Sequence, residues 1–129
     1  MKLFKWVLKY RRILLWCWTG MLLTATLLPG NAFPEVPDWT NLFQPDKLIH
    51  LALFSGLMFF LLLNIQRYTC RNNIIVCFLI GLALACITEL LQGLLPINRQ
   101  MSIFDAIANI AGLLLGFLLW RIAAKKINK

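Results

Sequence analysis

Asp46, Lys47 and His50 head a long apolar run in the stretch QPDKLIHLALF, and Asp46 and His50, four residues apart, stack on one face of a helix. Glu89 and Gln92 share a face three residues apart in ITELLQG, with apolar sequence on both sides. Arg99 lies in the turn after Pro96. Asp105, Asn109, Gly112 and Gly116 then follow at spacings of four, three and four, a single helical stripe. An ionisable group inside an apolar span costs roughly a few kcal/mol unless paired, so each marks a candidate site. Arg99 and Lys47 are phosphate-binding types, Arg by a planar fork and Lys as a point charge. Glu89, Asp105 and His50 would orient them or meet the polar groups of a sugar or peptide. The same residues admit a catalytic role, with His50 as acid/base, Glu89 or Asp105 as its partner and Arg99 facing developing phosphate charge.

Plainer roles stand beside these. Asp46 after Pro45 is also an N-cap, and Ser102 with Asp105 is also a capping box. Lys47 reaches headgroups by snorkelling. His50 also reads as a satisfied interior histidine, and Asn109 as a hydrogen bond across a helix contact. Gly112 and Gly116 form GLLLG, a small-xxx-small packing site against a neighbouring helix or a second copy of the chain. Trp39, Phe43 and Trp120 read as interfacial anchors. One histidine and three carboxylates are a donor set for a divalent metal, but acid spacing alone argues poorly for one, and no metal or cofactor is expected. There is no H-x-x-x-H, no H-E-x-x-H and no Ser or Cys nucleophile elbow.

The elements that must position these groups are apolar. Of 129 residues, 60% are hydrophobic, above the roughly 45–50% of a soluble domain. The mean hydropathy is +0.76. Four apolar segments stand out: Ile13–Leu28 (or from nearer Trp6), Leu48–Ile65, Ile74–Leu95 and Ile103–Trp120. Each is near the roughly 20 residues that cross a bilayer, where the backbone must satisfy its own hydrogen bonds. The fold class expected is therefore an all-α bundle of four transmembrane helices, a single integral membrane domain over residues 1–129.

Eleven of the thirteen cations lie in the N-terminus, the second loop and the C-terminus, leaving only Lys47 and Arg99 on the other side. The excess of positive charge places both termini in the cytoplasm. It also explains the net charge of +8 as topology, with no nucleic-acid partner. All five acids, Glu35, Asp38, Asp46, Glu89 and Asp105, fall in the outer half, and Asp46, Glu89 and Asp105 are expected to make one polar pocket with the groups above. A rival reading of the N-terminus is a secretory signal cleaved after Ala32, with a basic start, an apolar run and GNA at Gly30–Ala32. Cys17, Cys70, Cys77 and Cys86 lack CxxC spacing and read as small buried hydrophobes.

The pattern D-K-x-x-H-x-x-x-F at Asp46, Lys47, His50 and Phe54, E-x-x-Q at Glu89 and Gln92, P-x-x-R at Pro96 and Arg99, and D-x-x-x-N-x-x-G-x-x-x-G from Asp105 to Gly116 resembles the VanZ-like family. The resemblance covers Asp46 to Gly116, just over half the chain, and is specific in combination, order and spacing. Asn98 stands where the family often has a glycine before the arginine. The resemblance implies a small bacterial multi-pass protein of the cytoplasmic membrane, from a family associated with lowered susceptibility to teicoplanin-type antibiotics. It carries no biochemical activity with it. Three functions follow. The first is binding of a lipid head group or lipid-linked cell-wall precursor at the outer leaflet by Asp46, Lys47, His50, Glu89, Gln92, Arg99, Asp105 and Asn109. The second is an intramembrane enzyme acting on such a lipid. The third is a structural subunit packing through Gly112 and Gly116, as a homo-oligomer or against another protein.

Overall fold

The computed structural model describes residues 2–29, 45–65, 71–96 and 102–127. Trp39, Phe43, Cys70, Arg99 and the Gly30–Ala32 stretch lie outside them. Four α-helices occupy the described residues: α1 (Lys2–Thr26), α2 (Pro45–Ile65), α3 (Arg71–Leu94) and α4 (Ile103–Ile127).

Each helix covers most of one expected apolar segment: α1 stops two residues short of Leu28 and α3 one short of Leu95, while α1, α2 and α3 begin before their segments and α4 runs past Trp120. The hydrophobic run measures only the stretch suited to hydrocarbon, whereas the backbone stays helical into flanking sequence of good helix formers such as RIAAKKI. Three of the four are long and apolar enough to cross a membrane: Pro45–Ile65, Asn72–Leu94 and Ile103–Lys125, with hydropathies of 2.2, 2.7 and 1.9. α1 is as long as α4, but Lys5, Lys9, Arg11 and Arg12 occupy its first half and dilute its apolar run.

The start of α2 at Pro45 exploits a residue with no N–H to leave unsatisfied. Asp46 therefore lies within the first turn, where its charge faces the positive end of the helix dipole. Ser102 takes the cap position of α4, its carbonyl accepting from the N–H groups of Asp105 and Ala106 at 3.1 Å each.

Side-chain contacts fix the directions. Trp18 Nε1 donates to the Leu53 carbonyl at 2.8 Å, and Asn64 Nδ2 donates to the Arg11 carbonyl at 3.1 Å, so α1 and α2 run antiparallel. Gly112 lies against Leu51 and Phe54, and Gly116 against Ser55 and Met58, so α2 and α4 run parallel. Gly81 meets Leu113 and Phe78 meets Phe117, so α3 is antiparallel to α4. The result is an up-down-up-down bundle with α2 in contact with the other three. The basic start of α1 and the basic end of α4, with Arg121 and Lys125, share one end of it. Asp46, Glu89 and Asp105 occupy the opposite end.

α2 supplies most of the core, with Leu53, Phe54, Leu57, Met58, Leu62 and Leu63, closed by Leu22, Cys77, Ala85, Leu113 and Trp120. Trp120 is thus a core residue, 6% exposed and stacked on Phe117, rather than an interfacial anchor, because its face of α4 turns inward. Among the described cysteines only Cys77 is buried; Cys17 and Cys86 lie on the outside, against the expectation of buried sulfur. Large apolar side chains such as Leu79, Leu90, Ile107 and Leu118 also face outward. Apolar surface on this scale needs lipid as its solvent.

Candidate functional site

The stripe on α4 faces α2. Asp105, Asn109, Gly112 and Gly116 are all buried, and the two glycines bring the helix backbones together. A Cβ on Gly112 would stand 2.6 Å from the Leu51 carbonyl oxygen, and one on Gly116 would meet Ser55 O and lie 2.9 Å from Met58 Cβ. The packing partner of GLLLG is therefore α2 of the same chain. One and two turns nearer the start of α4, the same face carries Asn109 and Asp105 to the first two turns of α2.

There the polar groups join. His50, 1% exposed, places Nδ1 2.8 Å from Asn109 Oδ1. Asn109, fully buried, donates from Nδ2 to Glu89 Oε1 on α3 at 3.2 Å. His50 Nδ1 also lies 3.9 Å from Glu89 Oε1. On the other side of the ring, His50 Nε2 stands 3.7 Å from Asp46 Oδ1. One donor atom from each of Asp46, His50 and Asp105 falls within 4.8 Å of the others. Lys47 lies beside them with its ammonium 5.6 Å from the centre of the Phe104 ring.

The network assigns the imidazole tautomer. A carboxylate only accepts, so the amide nitrogen of Asn109 turns to Glu89 and its carbonyl turns to His50. His50 Nδ1 then carries the hydrogen and donates to Asn109. Two buried atoms of the network have no hydrogen-bond partner, His50 Nε2 and Glu89 Oε2.

Of the sequence-predicted residues, Asp46, Lys47, His50, Glu89, Asp105 and Asn109 gather at one end of the bundle. Arg99 lies outside the described residues. Gln92 does not join them. It is fully buried, but it sits three residues beyond Glu89, far enough round α3 to reach α1, where its Nε2 donates to the Thr26 carbonyl at 2.6 Å. Gln92 is a strut between helices, and sequence reasoning missed its partner Thr26, whose hydroxyl bonds Leu22 O within its own helix at 2.8 Å and carries no pattern of its own.

The expected open polar cavity takes a different form. His50, Glu89 and Asp105 are each no more than 6% exposed, so the cluster is buried. The cavity beside it is an apolar cleft of about 400 Å³ between α3 and α4, lined by Leu82, Ala85, Cys86, Leu90, Ile103, Ala106 and Ile110, with Glu89 and Ser102 at the polar end. A second cleft of about 270 Å³, lined by Ile75, Phe78, Leu79, Leu82, Ile110 and Leu113, continues the same seam. From Glu89 to Ile75 is fourteen residues of helix, about 21 Å at roughly 1.5 Å each. Nothing in the sequence periodicity marks this seam, because its residues on α3 and α4 are as apolar as those on the outward faces of the same helices.

No curated protein and no solved structure matches the chain. The family model described as VanZ/LLP1 matches residues 6–124, beyond the stretch that carries the sequence motifs and into both α1 and the end of α4. With the D-K-x-x-H, E-x-x-Q and D-x-x-x-N elements on three contacting helices of an apolar bundle, and with that match over nearly its whole length, the chain belongs to the VanZ/LLP1 family.

Proposed function

We propose that this protein binds a single membrane lipid, a phospholipid or a lipid-linked envelope precursor, with its head group at the polar end of the bundle and an acyl chain in the α3–α4 seam. The observation that carries the reading is the seam itself. It is apolar along its length and ends on Glu89, whose Oε2 is buried without a partner. Its length of about 21 Å exceeds half of a hydrocarbon core of about 30 Å, so one leaflet's chain fits along it. Head-group donors would meet Glu89 Oε2, and Lys47, with Arg99 from the sequence alone, would meet phosphate.

The topology belongs to the same proposal. All four helices span the bacterial cytoplasmic membrane, α1 included, with the cation-rich ends inside and the polar cluster outside. The contacts of Trp18 with Leu53 and of Thr26 with Gln92 favour a retained α1 over a cleaved signal. A lipid held at the outer leaflet would change what a teicoplanin-type antibiotic reaches there.

A catalytic reading draws on one observation, an imidazole fixed by Asn109 with its second nitrogen turned to a carboxylate. Mass spectrometry of copurifying lipids separates the two. Binding predicts a defined lipid with the wild type, lost in Glu89→Gln and Arg99→Ala and largely kept in His50→Ala, compared at equal folded protein. Unchanged lipid in all three variants sinks the binding reading. Accumulation in His50→Ala of a lipid that the wild type converts to another species favours the enzyme.

A further inference from the structure

The far side of His50 from Asn109 poses a chemical problem. With the hydrogen on Nδ1, Nε2 presents a lone pair, and it points at the Asp46 carboxylate 3.7 Å away. Two acceptors face each other in a place where the ring is 1% exposed and Nε2 has no hydrogen-bond partner. Either a proton on Nε2 or a metal ion supplies the positive charge that joins such a pair. The third wall of the space is Asp105, from the first turn of α4.

Geometry favours a metal ion as that charge. The donor atoms of Asp46, His50 and Asp105 lie within 4.8 Å of one another. Donor atoms around one ion at about 2.0–2.2 Å stand about 3.3–4.4 Å apart, from a tetrahedral pair to a trans octahedral one, so side-chain shifts of about 0.4–1.5 Å close the set. The three donors sit on the first two turns of α2 and the first turn of α4, parallel helices pinned together at Gly112 and Gly116, which gives a rigid frame. A ligating histidine almost always donates its other N–H to a carbonyl or carboxylate that fixes its tautomer. Asn109 Oδ1 at 2.8 Å fills that role, itself oriented by Glu89 at 3.2 Å. A nitrogen and two oxygens suit zinc or manganese, and three protein ligands leave a position for an outside oxygen.

We propose that Asp46, His50 and Asp105 bind a divalent metal ion of the zinc or manganese class, with Asn109 and Glu89 orienting the imidazole and at least one coordination position open to an oxygen ligand.

The site goes beyond lipid binding and is tested without lipid. The full chain, with its four cysteines replaced by serine to remove competing thiols, is purified in detergent, delipidated and stripped with EDTA. It is then equilibrated with Zn²⁺, Mn²⁺ or Co²⁺ in turn and desalted. Bound metal is counted by mass spectrometry, and the Co²⁺ form is read by its visible spectrum. The expected result is one ion per chain, lost in Asp105→Asn and His50→Gln and kept in Asn64→Ala at the opposite end. Asn109→Ala retains all three ligands and weakens binding by about 10–100-fold, as loss of an orienting partner does. Circular dichroism and a single elution peak verify the fold of each variant. The cysteine-free parent decides the matter even where a variant fails to fold, because less than stoichiometric metal on the parent overturns the site. So does metal that survives both Asp105→Asn and His50→Gln, or a ¹⁵N spectrum of the metal-treated parent with both ring nitrogens of His50 protonated. Stoichiometric metal with no copurifying lipid sinks only the lipid reading.

Discussion

Asn109 is the residue on which the polar cluster turns. Its amide bonds to both α2 and α3, accepting from His50 and donating to Glu89. Asn109→Leu removes both bonds while preserving bulk. It leaves two buried groups unsatisfied, each costing about 1–3 kcal/mol. The expected outcome is a loss of about 2–5 kcal/mol of stability, read as an earlier midpoint in mixed-micelle SDS unfolding. Glu89→Gln should cost far less by the same assay, because the new amide oxygen still accepts from Asn109. A midpoint for Asn109→Leu equal to the wild type would remove the amide from its central place. In the sequence, Asn109 was visible as a polar residue on the α4 stripe, but its two partners were not, since an amide spaced four from an acid names a face and not a neighbour.

The α2–α4 seam is where sequence spoke most directly about structure. The four-three-four spacing from Asp105 to Gly116 marks one face, and that face is buried along its length. The glycines exist for close approach, and an added methyl tests it. Gly112→Ala and Gly116→Ala each press a Cβ into α2 backbone and should cost about 1–3 kcal/mol through overpacking. Gly20→Ala on α1 has nothing within 4 Å of the new Cβ and should be neutral or gain up to about 1 kcal/mol. Equal stability of all three would show that the helices do not meet as described. Other contacts were illegible for a physical reason. Glu89 and Gln92, three apart, look like one site in sequence, yet the step around the helix sends one to α4 and the other to α1. Likewise Trp18 reads as one more apolar residue, and only the fold shows its indole spent on a carbonyl of α2 over Gly56.

For the molecule as a whole, the segregation of charge is the dominant feature. The basic start of α1 and end of α4 share one end, and the acidic starts of α2 and α4 share the other. The proposed topology, with the cation-rich end in the cytoplasm, predicts that Asn128→Cys in an otherwise cysteine-free chain resists an impermeant thiol reagent in intact cells and reacts after permeabilisation. Trp39→Cys should react in both. Labelling of position 128 in intact cells would invert the protein.

The antiparallel order of the helices also has a consequence for biogenesis. His50 and Asn109 are 59 residues apart in the chain. During synthesis α1 and α2 leave the ribosome before α3, and α2 and α3 then wait with polar groups turned towards a helix not yet made. The last helix delivers Asn109, Asp105 and the two glycines together, so docking of α4 on α2 completes the cluster in one event. A nascent chain holding only three helices carries His50 and Glu89 in lipid without their shared partner. Such an intermediate leaves His50 and Glu89 without the amide that joins them, and docking of α4 is what buries them together.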